Sequence, residues 1–421
     1  MRTLADGFTG AIMAVESIRD AAVLVHGPGG CRVRHMVHST AVFPRTDKAE
    51  DFSFLYYYGY PRVPATYLDD YDYINGASYK LDEALEQING RNPAILVVIN
   101  SPGAALIGDD VEGAISSSSL SNRAFCLEGS MVSLPVSFGY GHTLREVMSF
   151  LSPSRGCARK GTVNLLGLSI LDKDWMAGRD ELVRMVESMG LKVLSTPGAG
   201  SSVDELMDSV EAEFNIMVCP EMCDGLTQYY ESMGIPTIRS TGGSPVGFDA
   251  IEEWIGAIAE ATGADPSIPL SNIASVRRRI FDKFVGMRYN ASRIRGLTFS
   301  VAGIASVVRP LTSWLYSYLA MAPVAVDVDP GADPSERDAL VRFLEAVDYA
   351  DCFGLEPMDG SDVVLCEGVE STTMYLSGCC SIHIPIGFSS MGLDDVIPRP
   401  VYGIQGALYI LDEIVHGIRG L

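Results

Sequence analysis

Ala94-Ile95-Leu96-Val97-Val98-Ile99 sets the class of this chain. An unbroken apolar run rich in β-branched residues suits a strand covered on both faces, as in a parallel sheet. Its flanks agree. Ser101-Pro102-Gly103 breaks the run, and Gly108-Asp109-Asp110 opens a helix with acids at its positive end. Leu81 to Ile88, just before the strand, has helical spacing. Helix, strand, loop and helix make the repeating unit of an α/β protein.

The unit recurs in both directions. Ala21 to Val25 is an earlier strand. Beyond Ser152-Pro153-Ser154-Arg155-Gly156, strands are predicted at Thr162 to Leu168, Lys192 to Leu194, Asn215 to Val218 and Pro236 to Ile238. Helices are predicted at Arg179 to Met189, from Ser202 or Asp204, up to Met233, and at Asp249 to Thr262. A helical connector from Ile273 to Arg293 leads to strands at Leu297 to Ala302, Val324 to Val326 and Val363 to Leu365, and to a last helix, Gln405 to Ile418. The expectation is an α/β chain of three Rossmann-like domains, each a mostly parallel sheet flanked by helices. Their bounds are 1–155, 156–270 and 271–421.

Composition narrows the function. The chain has 421 residues, which calls for two or three domains, and 47% hydrophobic residues, which supplies their cores. A net charge of -22 repels a phosphate backbone, so nucleic acid is not an expected partner. Nine scattered Cys make no disulfide framework, and Met1 to Asp6 has no apolar signal core, so a reducing cytoplasm is expected. Leu311 to Val326 is short for a membrane span and contains Pro323; it reads as a buried helix running into a strand.

Chemistry concentrates at Val25-His26-Gly27-Pro28-Gly29-Gly30-Cys31, where a strand drops into a Pro- and Gly-rich loop with a thiol at its tip. Glycines let backbone approach a bulky ligand, and a thiolate can hold a soft metal or an iron–sulfur cluster. A Gly-Pro-Gly turn followed by a structural Cys reads the same way. Arg32, Arg34, His35 and His38 follow as a cationic cluster beside a metal site, a docking face or a solvated helix face. Cys219 and Cys223 could share a helical face as a metal pair or pack a strand–helix junction. Adjacent Cys379 and Cys380 make a poor chelate in a strand. Cys126, Cys157, Cys352 and Cys366 read as core. Asp109 and Asp110 read as helix-start acids. Tyr56-Tyr57-Tyr58-Gly59-Tyr60 suits an interface or the face of a planar ligand. Gly198 and Gly200 form an incomplete nucleotide fingerprint, and there is no phosphate-binding loop for ATP.

The order of landmarks resembles component 1 of nitrogenase and its relatives, which include cofactor scaffolds and tetrapyrrole reductases. His26 to Cys31 resembles that family's cysteine loop. Asp70-Tyr71-Asp72-Tyr73-Ile74-Asn75-Gly76 with Lys80-Leu81, and Ile107-Gly108-Asp109-Asp110, follow in order. Phe138-Gly139 with Gly141-His142 falls where the family has a Gly-rich loop near the cluster. Asn164-Leu165-Leu166-Gly167, Gly234-Ile235-Pro236, Pro245-Val246-Gly247-Phe248 with Glu253-Trp254, Ile384-Pro385-Ile386-Gly387-Phe388 and Tyr402-Gly403-Ile404-Gln405-Gly406 complete the likeness.

The resemblance implies a cluster, [4Fe-4S], shared across a subunit interface. Cys31 would be the metal ligand, and Gly27, Gly29, Gly30, Ser101 and Gly139 the surrounding cofactor-binding residues. Family members that hold a full cluster use three Cys in the first domain. Here the others would fall near Ala5 and at Ser101 or Pro102, so one thiol remains. Ser101 could ligate through oxygen or be an ordinary turn residue. A homodimer with two Cys31, or a heterodimer with a sister subunit carrying three Cys, would complete the set; the heterodimer is preferred. An ATP-dependent iron–sulfur reductase would be the electron donor. Cys219 lies near the family's cofactor cysteine, but the cofactor histidine falls close to Gly387, with His383 four residues away. The expected role is an oxidoreductase subunit passing electrons to a hard-to-reduce small molecule, such as a tetrapyrrole. The alternatives are a cofactor-assembly scaffold and a cluster-less structural subunit.

Overall fold

The structure is a computed structural model that describes residues 4–43, 56–57, 60–286, 294–357, 360–387 and 395–418. Tyr58, Gly59, Arg293 and Phe388, singled out in the sequence, lie outside the described residues, as does the side chain of Arg34.

Three parallel sheets form the frame. The first joins β1 (Ala21–His26), β4 (Ile95–Asn100) and β5 (Ala124–Leu127) in the order β1-β4-β5. Between them in sequence, β2 (Tyr56–Tyr57) and β3 (Tyr60–Pro61) pair as a small antiparallel hairpin rather than a loop. The second sheet has the order β7-β6-β8-β9, from β6 (Arg159–Leu166), β7 (Lys192–Ser195), β8 (Ala212–Met217) and β9 (Thr237–Ile238). The third has the order β11-β10-β12-β13, from β10 (Thr298–Gly303), β11 (Ala322–Val328), β12 (Ser361–Cys366) and β13 (Cys380–Pro385). All pairings within these three sheets are parallel. The chain is therefore mixed α/β with helices packed against parallel sheets, as the buried apolar runs predict.

Local signals place several helix ends. Ser202 caps the helix Val203–Asp208 and forms a reciprocal capping box with Glu205. Leu311 to Val326 divides into the helix Ala305–Leu319 and β11, joined through Ala320 at φ 56°. Among the described residues, no helix is long and apolar enough to cross a membrane.

Two helices escape the sequence reading. Gly7–Glu16 is buried along its whole length and crosses Val136–Leu151, where a Gly-rich loop was expected. A Cβ on Gly139 would stand 1.9 Å from the Gly7 carbonyl oxygen, and one on Gly10 would stand 2.1 Å from the Val136 oxygen. These glycines let two backbones touch. Gly139 is thus a helix-crossing residue, not part of a loop beside Cys31.

Gly139→Ala should therefore cost about 3 kcal/mol in urea unfolding, because the clash is with backbone that cannot rotate away. Gly30→Ala, with nothing within 4 Å of the added carbon, should be neutral or slightly stabilising.

Candidate functional site

The register of β1 on β4 pairs His26 with Asn100, so the segments after both strands leave the same sheet edge side by side. Gly27 lies so close to Ser101 that a Cβ would fall 2.5 Å from its Oγ. Gly29 abuts the Tyr67 ring, whose Cδ1 would lie 2.9 Å from an added carbon. Ser101 is buried; its N–H donates to the His26 carbonyl at 2.9 Å, and its Oγ accepts the Ala104 N–H at 3.3 Å. Those bonds account for it as a turn residue. The edge thus gathers Gly27, Gly29, Gly30, Cys31 and Ser101, but not Gly139.

Cys31 is not at a loop tip. It occupies the first turn of the helix Gly29–Val42, which has Pro28 as its N-cap. Burial pushes the half-buried thiol above its ordinary value, and the Asp6 carboxylate adds to the rise. Asp6 caps Gly7–Glu16, accepting the Thr9 N–H at 2.8 Å and the Thr9 hydroxyl at 2.7 Å. Two exposed aromatic rings lie near Cys31: Tyr73, 39% exposed, interacts with the thiol, and Tyr67, 50% exposed, abuts Gly29 and Arg32 on either side of it. The expected cationic face is partly consumed by packing. Arg32 lies over the Tyr67 ring at 5.7 Å, and His35 is buried edge-on against Phe8.

A buried polar chain fixes the segment leading to that helix. His26 is fully buried, and desolvation lowers its pKa despite the opposing pull of Asp109. A neutral ring assigns the hydrogens. Nε2–H donates to Asp109 Oδ2 at 3.1 Å, and Nδ1 accepts the Thr66 hydroxyl at 3.1 Å. Thr66 Oγ1 in turn accepts the Gly27 N–H at 3.0 Å. Asp109 also accepts the Ala77 N–H at 3.1 Å and the Ser78 hydroxyl at 3.2 Å. Asp110 alone caps the next helix, so Asp109 is a loop anchor rather than a helix-start acid.

The second feature is a cleft of about 710 Å³ where the three sheets meet. Its walls include Asp6 and His38 from the first unit, and Leu171 and Asp172 beyond β6. Gly303 ends β10, while Glu367 and Gly387 follow β12 and β13. Ligands of open α/β sheets bind at such strand C-termini. Asp172 is half-buried there. Its Oδ2 accepts the Ser169 N–H at 2.9 Å, and its Oδ1 lies 3.4 Å from the Tyr402 hydroxyl, which donates to it. Desolvation is the dominant influence and pushes its pKa up to about 7, against the pull of both donors. Nothing in the sequence around Asp172 signals this, because Tyr402 is remote in the chain.

The remaining candidates sit elsewhere. Cys219 is fully buried; its thiol contacts Glu221 Oε2 at 3.4 Å and accepts the Ser306 hydroxyl at 3.5 Å. Burial drives that thiol well above its ordinary value. Cys223 donates to the Cys219 carbonyl at 3.2 Å, so the pair knits a strand–helix junction. His383 stacks on Tyr375 at 4.6 Å and does not line the cleft. Gly198 and Gly200, both at positive φ, are buried against Tyr140 and Trp175 respectively. Cys157 is exposed, which corrects its assignment to the core. Among the described residues, no three His, Cys, Asp or Glu side chains converge to hold a metal ion.

Three parallel sheets around a strand-end cleft, with a lone thiol at a helix start, define a multi-sheet α/β protein with a ligand-sized interior site. The chain belongs to the nitrogenase component 1 type oxidoreductase family, whose model matches residues 7–419. It is 25% identical over 327 residues to one of the polypeptides of the light-independent protochlorophyllide reductase of Methylocella silvestris, covering 71% of this chain and 61% of that one. It is 26% identical over 284 residues to the nitrogenase iron-molybdenum cofactor biosynthesis protein NifE of a Nostoc species, covering 62% and 52%. Across three such curated relatives the alignments span 34% to 61% of the relative's length. The solved structure of nitrogenase Cp1 at pH 6.5 superposes with a TM-score of 0.77 over 98% of this chain and 91% of that one, at 18% identity. That likeness shows the fold.

Two outcomes follow from the geometry. A carboxyl whose folded pKa is raised binds its proton more tightly when folded, so its contribution to stability declines as pH climbs from 3.8 to about 7. In urea titrations at stepped pH, Asp172→Asn should remove that part of the decline. Cys219→Ala should lower stability by about 1–2 kcal/mol while leaving metal content per complex unchanged, measured by elemental analysis.

Proposed function

We propose that this chain is one subunit of a nitrogenase-like reductase, with Cys31 supplying a single ligand to an iron–sulfur cluster shared with a sister subunit. The observation that carries this reading is the helix Gly29–Val42. Cys31 stands in its first turn beside the exposed rings of Tyr67 and Tyr73, and His38 lines the cleft seven residues further on. Seven residues span about 10 Å of helix. Asp6 reinforces the link, because it both lines the cleft and acts on the Cys31 thiol.

On this reading the apolar face around Tyr67, Tyr73 and Leu106 receives the sister subunit, which brings the remaining ligands. The preferred partner is a different, three-cysteine chain rather than a second copy. When bound, a [4Fe-4S] cluster relays single electrons from an ATP-dependent iron–sulfur reductase. The chain's own residues hold one thiolate at the positive end of a helix and fix the preceding segment through His26, Thr66 and Asp109. They also enclose a hard-to-reduce small molecule, for which a tetrapyrrole is the leading class. The work divides among units at 1–155, 156–270 and 271–421, in the cytoplasm.

Likeness to a NifE-type protein supports a second reading, a scaffold that holds a metal cofactor precursor in the same cleft. Anaerobic co-purification with native partners tests the first reading. Iron and an EPR signal should accompany the complex, and Cys31→Ala should lower both at least about tenfold, with the partner still bound. An iron-free chain, or one whose iron and signal ignore the substitution, overturns it. Cluster-dependent consumption of reducing equivalents marks a reductase; release of a metal cluster without turnover marks a scaffold.

A further inference from the structure

We propose that Asp172 is the acid of the cleft, handing a proton to a largely apolar, unsaturated molecule bound there as electrons reach it. The proposal rests on the reductase reading and deepens it.

The case begins with what two neighbouring cleft carboxylates, Asp6 and Glu367, are already doing. Asp6 accepts two hydrogen bonds from Thr9, and Glu367 accepts the N–H groups of Val369 and Glu370, both at 3.1 Å. In each, one oxygen, Asp6 Oδ1 or Glu367 Oε2, takes both bonds and caps a helix. Asp172 differs, because it caps no helix: its Oδ2 accepts the Ser169 N–H within a turn. Its Oδ1 meets Tyr402 at the long distance of 3.4 Å, which leaves that oxygen able to carry a hydrogen and turn it toward the cleft.

The surroundings favour the neutral acid. Leu171, Met222, Ile304, Val307, Ile386 and Val401 line the cleft with Asp172. No Lys or Arg lines it among the described residues, and the adjoining Lys173 is paired with Asp395. The ionisable groups that face Asp172 from the packed elements are the Tyr402 hydroxyl, which donates to it, and the Tyr140 hydroxyl and Cys219 thiol, which its charge reaches, with Glu221 beyond Tyr402. Asp6, His38, Asp329, Glu367 and Glu370 complete the charged or ionisable part of the cleft. Such a setting disfavours a further negative charge, so the carboxyl holds its proton near neutrality, with a midpoint of about 7. An acid matched to the operating pH is an effective proton donor.

For a carbon–carbon double bond reduced by two electrons from an iron–sulfur donor, one C–H bond forms as the Asp172 O–H bond breaks. The second proton comes from solvent. The carboxylate left behind regains its proton from the same water.

Dicyclohexylcarbodiimide is a suitable probe, being itself apolar and unsaturated. It takes the proton from a carboxylic acid onto nitrogen, and the carboxylate then adds to its central carbon. The full chain is treated across neutral pH, and the labelled peptides are mapped by mass spectrometry. Asp172 should carry the label, with a midpoint of about 7 and a fall of about tenfold per pH unit above it. Tyr402→Phe should move the midpoint upward, since that hydroxyl stabilises the carboxylate. Asp172→Asn should lose the label. Modification of Asp6 or Glu367 with Asp172 untouched, or labelling of Asp172 that ignores pH, overturns the proposal. The reaction needs neither cluster nor partner, so its failure is distinct from an iron-free complex, which would sink the reductase reading instead.

Discussion

Backbone pressed on backbone organises this molecule. The helix Gly7–Glu16 touches Val136–Leu151 through Gly7, Gly10 and Gly139, with no side chains between. The Gly7 N–H also donates to the Leu134 carbonyl at 2.7 Å, which pins the entry to the first helix. Because the crossing is so tight, Asp6 is delivered to one defined place. From there it caps a helix, lines the cleft and acts on the Cys31 thiol. The hydrophobic core running through all three sheets closes around that joint.

A second constraint is polar. Asp109, His26, Thr66 and the Gly27 backbone form a chain in which each donor meets one acceptor. Buried networks of this kind hold one geometry firmly when every member is satisfied. Here the held geometry is the approach to the cysteine helix. The segment that leads to the thiol is therefore held by residues from three separate stretches of the chain.

Much of the frame is legible in the sequence, because buried parallel strands leave runs that little else explains. Ile95–Asn100, Thr298–Gly303 and Ser361–Cys366 stand where apolar stretches place them, within a residue or two. The Gly-bearing helices are not legible. Glycine at 7, 10 and 139 argues for loop by propensity, while the real demand is close approach of two helices far apart in sequence. Gly29 and Gly30 mislead in the same way, as they begin a helix rather than prolong a turn. In the candidate site, Cys31 and its glycines are visible because they are local. The pairing of His26 with Asp109, and of Asp172 with Tyr402, depends on contacts made only when distant loops converge.

The helix that starts at Gly29 has 14 residues, a rod of about 21 Å. Its first turn carries the half-buried Cys31, and His38 in its third turn lines the cleft. A rod of that length does not bend easily, so a push at one end becomes a tilt at the other. A displacement of the first turn, were the helix to move as a rigid rod, would be carried to His38 in the cleft wall. One helix thus joins the outer face at Cys31 to the cleft wall at His38.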